Sequence, residues 1–116
     1  MIEVNNLSTY RINENFLKNI AGKSLKREKK KIDLSIALVG QMKIRELNRK
    51  YRKKDKATDV LSFQYGEAGE IVICPEEVKK NAEKYQSTFK KELARVLTHG
   101  VLHILGYSHR AMEKLR

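Results

Sequence analysis

All three histidines of this 116-residue chain lie between positions 99 and 109, in the pattern H-x-x-x-H-x-x-G-x-x-H. On a helix, His99 and His103 share one face, because residues four apart are neighbours with Cβ atoms roughly 5–6 Å apart. Gly106 can end that helix and turn the chain back, since glycine tolerates positive φ, and His109 can then supply a third ligand. Three imidazoles at Zn–N distances of about 2.0–2.1 Å leave the fourth position of a tetrahedral site for water or substrate, as in catalytic zinc sites. We therefore predict one zinc ion per chain, held by His99, His103 and His109.

Two alternative roles for these histidines compete with a catalytic zinc site. The histidines could be packing residues, but a buried imidazole without a partner costs free energy, and three in an otherwise apolar segment are hard to explain by packing. The same spacing occurs in metzincin proteases, where a Glu follows the first histidine and acts as the general base. Gly100 stands at that place here, so a zinc peptidase is only a distant third possibility.

Hydrophobic periodicity and capping residues predict the elements that position these histidines. The first half is predicted to hold a strand from Ile2 to Leu7, a helix capped by Asn13 and running towards Lys26, a strand from Ile32 to Val39 and a helix from Met42 to Arg52. Two strands follow, from Val60 to Tyr65 and from Glu70 to Cys74, joined by a turn at 66–69. The chain then forms a helix from Pro75 to about Gln86 and a helix capped by Ser87 or Thr88 that ends at Gly106. This order predicts an α+β fold with a small mixed sheet packed by helices. We expect one compact domain over 1–116, with the metal site on a buried C-terminal helix.

The charge balance favours a polyanionic partner. The chain has 25 Lys and Arg residues against 14 Asp and Glu residues, a formal net charge of +11. Nucleic acid is the first expectation and an anionic membrane surface the second, while a highly charged thermophile-like surface would not explain so one-sided a balance. The basic run from Lys23 to Lys31 is either a solvated helix end or an RNA-contacting patch.

Other features exclude several classes of protein. One cysteine, Cys74, excludes an internal disulfide framework and a multi-cysteine zinc ribbon. No apolar stretch approaches the ~18 residues of a transmembrane helix. The first residues lack the basic and apolar regions of a signal peptide, so a cytoplasmic protein is expected.

The histidine segment resembles the motif H-G-x-L-H-L-x-G-Y-D-H of the bacterial YbeY family of rRNA maturation factors. Residues 47–63, LNRKYRKKDKATDVLSF, are similar to the family's block L-N-x-x-Y-R-x-x-D-x-P-T-D/N-V-L-S-F-P, and residues 69–74, GEIVIC, are similar to its strand G-D-I-V-I-S/C. Residues 89–93 also fit the approach to the histidine helix, so the resemblance covers nearly the whole chain. The departures are Ser108 for the motif Asp, Ala57 and Gln64 for prolines, Glu70 for Asp, and the helical tail that family members usually have beyond the position of Arg116.

The resemblance implies a single YbeY-like domain with zinc on His99, His103 and His109. It also implies a single-strand endoribonuclease that acts in 3′-end maturation of small-subunit (16S) rRNA and in ribosome quality control. The expected partners are small-subunit rRNA, the small ribosomal subunit and assembly factors, with no membrane and no DNA. Arg52 matches the family's functional arginine, so Arg52 and His99 are the candidate catalytic residues.

RNA cleavage does not strictly need a Glu base, because a metal can activate water or stabilise charge on the phosphate. Arg52 can grip a phosphate in bidentate geometry, and a plain surface charge is its alternative role. Glu92, two turns before His99, is expected to be a supporting or structural partner. Further residues are expected beside the site without a direct role in binding the metal: Asp59, Ser62 and Glu70 as wall residues, Tyr107 as a packing residue and Cys74 as an inert strand end. The second function class is a non-catalytic ribosome-assembly factor that binds RNA and holds a structural zinc.

Overall fold

The helices and strands follow the order expected from the sequence. The computed structural model describes residues 1–106, and within them the elements are β1 (Ile2–Asn6), α1 (Glu14–Arg27), β2 (Asp33–Leu38), α2 (Gln41–Arg52), β3 (Val60–Tyr65), β4 (Ala68–Ile73), α3 (Pro75–Lys84) and α4 (Phe89–Ile104). The Asn13 side chain caps α1 by accepting from the backbone N–H groups of Asn15 and Phe16. Thr88, one of the two expected caps, accepts from the N–H of Lys91 at the start of α4. None of these helices is both long and apolar enough to cross a membrane.

The four strands form one mixed sheet in the order β1-β2-β4-β3. β1 pairs with β2, and β2 with β4, in parallel, whereas β3 and β4 form an antiparallel hairpin. The turn of this hairpin is tighter than expected, because Tyr65 pairs directly with Ala68 and β4 begins two residues earlier than predicted. Gly66, with φ of 60°, permits the two-residue turn, as a glycine does at the first central position of a type II′ turn.

The sheet separates two hydrophobic clusters. Alternate residues of β2 and β4, among them Ile36 and Ile71, pack with α1, α3 and α4 on one side, which we call the α4 face. Leu61 and Val72 point to the opposite side, the α2 face, and pack with Ile44 of α2. This layering confirms the expected α+β fold with a small mixed sheet packed by helices. The expectation that residues 107–116 belong to the same domain stays a prediction, because they lie outside the described residues.

Candidate metal centre and basic surface

His99 and His103 lie one turn apart near the end of α4, both half-buried. The helix ends where it was expected to end: Leu105 is the C-cap residue and Gly106 follows with φ of 95°. A positive φ at this place takes the chain off the helix axis, and glycine adopts it without a Cβ penalty. His109, Ser108 and Tyr107 lie outside the described residues. Within residues 1–106, no three His, Cys, Asp or Glu side chains come close enough together to hold a metal ion.

Gly100 brings the histidine helix into close contact with the sheet. A Cβ at this position would lie 3.0 Å from Cγ2 of Ile71 and 3.2 Å from Oγ of Ser62. The Ser62 hydroxyl donates to the Gly100 carbonyl at 3.2 Å and so joins β3 to α4 beside His99. Ser62, expected as a wall residue, therefore supports the histidine helix. A side chain at position 100, such as the glutamate of the metzincin motif, would require the buried Ile71 to shift by a few tenths of an ångström.

A second close approach lies one turn further along α4. A Cβ on Gly69 of β4 would lie 2.7 Å from Cδ1 of Ile104, closer than real Cβ contacts come. Gly69 and Gly100 thus allow the second half of α4 to lie directly on the β3–β4 hairpin. Sequence reasoning did not single out these two glycines as packing residues. An isolated glycine inside a strand or helix pattern is the signal that could have found them.

Glu92 is the buried acid of α4, with a relative exposure of 4%. Both of its carboxylate oxygens accept from Arg95, at 2.9 Å from Nε to Oε1 and through Nη2 to Oε2. This hydrogen-bonded pair raises the pKa of Arg95, and the charge of Asp59 adds to the effect. Asp59 itself accepts from Asn81 at 3.2 Å and joins the start of β3 to α3. Glu92 is therefore a structural partner within α4, as expected.

Cys74 lies at the start of α3 and is fully buried. Burial raises the pKa of its thiol, which keeps the thiol neutral. The expectation that Cys74 is an inert residue at the end of a strand agrees with this placement.

Arg52 is the last residue of α2 and is exposed. Within residues 1–106 we find no hydrogen bond or ion pair to its guanidinium. The loop after it is held by Asn48, 1% exposed, whose Nδ2 donates to the Lys56 carbonyl at 2.9 Å. Helix α2 packs on the α2 face and the histidines lie on α4, so Arg52 and the histidines belong to opposite sides of the sheet at its β3 edge.

The other cations of α2 and its following loop are also exposed. They are Lys43, Arg45, Arg49, Lys50, Lys53, Lys54 and Lys56. Arg45 pairs with Asp55 at 2.9 Å, and that hydrogen bond lowers the pKa of Asp55. Together with Arg52, the cations from Arg49 to Lys56 form a positive surface around the end of α2.

A second basic surface lies at the other end of the sheet. An open groove of about 940 Å³ runs between the end of α1 and the beginning of β1 and β2. Its exposed lysines are Lys18, Lys26, Lys29, Lys30 and Lys31. Most of the basic run that was expected to be a solvated helix end or an RNA contact therefore lines a concave surface. Neither His99 nor His103 lines it.

Comparison with known proteins identifies the family. The family model described as "Endoribonuclease YbeY" matches residues 3–116. The chain belongs to the YbeY family. The "Endoribonuclease YbeY" of Thermotoga neapolitana is 45% identical over 92 residues, covering 78% of this chain and 62% of that protein. That of Thermodesulfovibrio yellowstonii is 46% identical over 88 residues, covering 69% of this chain and 55% of that protein.

The fold of this chain is shared with a solved structure. The solution structure of TM1509 from Thermotoga maritima superposes with a TM-score of 0.65 at 35% identity, covering 94% of this chain and 75% of that one. The chain spans less than two thirds of the length of the two YbeY relatives above.

The residues of this YbeY chain fit the zinc ion that the resemblance implies. Imidazole nitrogen is a preferred zinc ligand, and His99 and His103 are four residues apart on a helix held in place by Gly100. Both are half-buried and therefore accessible from solvent. The positive φ of Gly106 turns the chain three residues before His109.

Proposed function

We propose that this chain is a zinc-dependent, single-strand-specific endoribonuclease that acts in the cytoplasm in 3′-end maturation of 16S rRNA and in ribosome quality control. Its partners would be small-subunit rRNA, the small ribosomal subunit and assembly factors. The observation that carries the proposal is the pair of His99 and His103 on one face of α4, in a chain that belongs to a family named for an endoribonuclease.

In this proposal His99, His103 and His109 hold one zinc ion. Zinc bound there would supply a Lewis acid beside the scissile phosphate and lower the pKa of a bound water. The chain's own contribution is rigidity: Gly100 seats α4 on the sheet, and Ser62 holds the carbonyl next to His99. Ligands on rigid elements keep their geometry without a cost in conformational entropy at each turnover.

Arg52 binds a backbone phosphate of the same RNA strand in this proposal. Its guanidinium is exposed and unengaged within residues 1–106, so its planar donors are available for two phosphate oxygens. The exposed cations around the end of α2 would hold neighbouring phosphates. Since Arg52 lies across the β3 edge from the histidines, the RNA would pass around that edge.

Peptide hydrolysis is disfavoured by the same residues. The zinc peptidases with this histidine spacing use a glutamate after the first histidine as the base. Here Gly100 occupies that place against Ile71, and the buried acid on the same helix, Glu92, is paired with Arg95.

The test combines metal content with cleavage. Purified chain and its His99→Ala, His103→Ala and His109→Ala variants are analysed for zinc and assayed for single-turnover cleavage of a single-stranded RNA. We expect about one zinc per wild-type chain, loss of zinc in each variant, and cleavage only in zinc-loaded wild type. Lys91→Ala, an exposed substitution on the same helix, is the matched control and should keep both properties.

Two results would contradict the proposal. Full zinc occupancy in any two of the three histidine variants would contradict the zinc site. A zinc-loaded wild type that binds RNA and never cleaves it, with histidine variants that bind equally well, would favour the non-catalytic assembly factor.

A further inference from the structure

Three aromatic side chains line the α2 face at the β3 edge of the sheet. Tyr51 of α2 and Phe63 of β3 meet edge to face, with ring centroids 5.1 Å apart and an interplanar angle of 68°. Tyr65 lies two residues further along β3 and therefore points to the same face as Phe63. We call Tyr51, Phe63 and Tyr65 the aromatic edge.

The aromatic edge is largely in solvent. Tyr51 is 55% exposed and Tyr65 is 60% exposed, so neither ring is needed to complete the hydrophobic cluster beneath α2. Single exposed aromatic residues are ordinary on protein surfaces. Two exposed aromatic rings at one sheet edge, next to a cluster of cations, form a surface that offers both π faces and positive charge.

Positive and negative charges beside the aromatic edge lie on different elements. The cations belong to α2 and the residue after it: Nζ of Lys50 lies 5.3 Å from the centroid of Tyr51, and the exposed Arg52 and Lys53 follow in the chain. The carboxylates belong to the strands: Glu70 stands directly opposite Phe63 across the β3–β4 pair. A shallow pocket of about 330 Å³ next to Tyr65 contains three carboxylates: Glu3, Asp33 and Glu70.

This separation of charge favours one orientation for a nucleic-acid strand. The backbone phosphates are attracted to the cations at the end of α2 and repelled by the carboxylates around Glu70. The bases then face the sheet, where the rings of Tyr51 and Tyr65 are exposed. Every base has a π face, so stacking on such rings is tolerant of sequence but requires a base that is not paired and stacked in a duplex.

We propose that the aromatic edge is a stacking surface for unpaired bases of single-stranded RNA, with the backbone of the same strand on the cations around Arg52. This inference rests on the proposed function, since it takes RNA as the ligand. It names Tyr51 and Tyr65 as binding residues, in addition to the cations that any polyanion would contact.

The test measures binding of a short single-stranded 2′-O-methyl RNA to the zinc-loaded chain, with the integrity of the RNA checked afterwards. Tyr51→Ala and Tyr65→Ala should each weaken binding by roughly ten- to a hundredfold, the usual loss for one stacked base. Tyr51→Phe and Tyr65→Phe keep the ring and should bind as wild type. Tyr85→Ala is the matched control, because Tyr85 is 61% exposed and has Nζ of Lys84 5.4 Å from its centroid, yet it lies at the end of α3.

A second ligand separates stacking from charge. Inorganic polyphosphate has the negative charge of RNA and no bases, so its affinity should be unchanged in every tyrosine variant. The chain has no tryptophan, so quenching of tyrosine fluorescence by RNA and not by polyphosphate would report base contact directly. Unchanged RNA affinity in Tyr65→Ala would overturn the proposal and leave the aromatic edge as a candidate protein-docking surface.

Failure of the stacking surface and failure of the proposed function give different results. If wild type cleaves RNA and Tyr65→Ala binds and cleaves equally well, the stacking surface is wrong and the nuclease stands. If wild type never cleaves, but the alanine variants lose RNA affinity and keep polyphosphate affinity, the nuclease is wrong and the stacking surface stands. Equal loss of RNA and polyphosphate affinity in the alanine variants would overturn the stacking surface, since it would indicate a general structural defect.

Discussion

Gly100 offers a direct test of how α4 is seated on the sheet. Replacing a glycine inside a helix by alanine normally stabilises the helix by roughly 1 kcal/mol. At Gly100, however, the new Cβ would lie 3.0 Å from Cγ2 and 3.3 Å from Cδ1 of Ile71, which is itself fully buried. Forcing an extra methyl group into a packed core costs roughly 1–3 kcal/mol. We therefore expect Gly100→Ala to lower the free energy of unfolding by roughly 0–2 kcal/mol.

Gly22 of α1 provides the matched control. It is also inside a helix, but a Cβ there would meet only Cδ1 of Ile2, at an ordinary distance of 3.8 Å. Gly22→Ala should therefore raise the free energy of unfolding by roughly 0.5–1 kcal/mol. The helix-propensity contribution is the same in both variants, so the difference between them isolates the overpacking at Gly100.

Urea unfolding followed by circular dichroism measures the free energy of unfolding of both variants. The expected difference of roughly 1–3 kcal/mol corresponds to about 4–12 °C in Tm for a domain of this size. Zinc affinity measured on the same samples should fall in Gly100→Ala and stay unchanged in Gly22→Ala, because only the first displaces the histidine helix. If Gly100→Ala is stabilised as much as Gly22→Ala, the Ile71 side chain has shifted to accommodate the methyl group, and the close contact is not the reason for a glycine at position 100.

Three further results are expected. Arg52→Ala should keep fold and zinc but weaken RNA binding by roughly ten- to a hundredfold, because it removes a bidentate contact to a backbone phosphate. Arg52→Lys should restore only part of the affinity, and unchanged affinity in a binding titration would contradict a phosphate-binding role. RNA affinity should fall steeply with salt, and a flat salt response in binding titrations would count against an electrostatic surface. Replacing Lys53 and Lys54 by Gln should reduce the slope of log affinity against log salt concentration by about 1 for each phosphate that the variant no longer binds. Arg95→Ala should lower the free energy of unfolding by roughly 1–3 kcal/mol, since it leaves the Glu92 carboxylate buried without its partner. The Arg95→Ala/Glu92→Ala double variant should lose less stability than the sum of the two single variants, and strict additivity in this double-mutant cycle would refute the pairing.

Local chemistry was sufficient to predict the elements that carry the histidines. Asn13 and Thr88 supply side-chain oxygens to the first turns of α1 and α4, and Pro75 starts α3. Gly106 ends α4 with a positive φ, as its place after an apolar helical run indicated. These signals depend on residues a few positions apart, so they can be read without knowing the fold. The histidine spacing likewise placed His99 and His103 on one helical face, whereas the metal site itself stays a prediction.

The pairing of the strands and the packing of α4 depended on residues far apart in the chain. The sequence predicted an antiparallel hairpin, but only the tertiary structure places β2 between β1 and β4. It alone shows that Gly100 lies against Ile71 and Gly69 against Ile104. It also separates Arg52 from the histidines across the β3 edge. Periodicity shows which face of an element is apolar, but the partner of that face is decided by how all the elements pack together, because every apolar face must be covered at once.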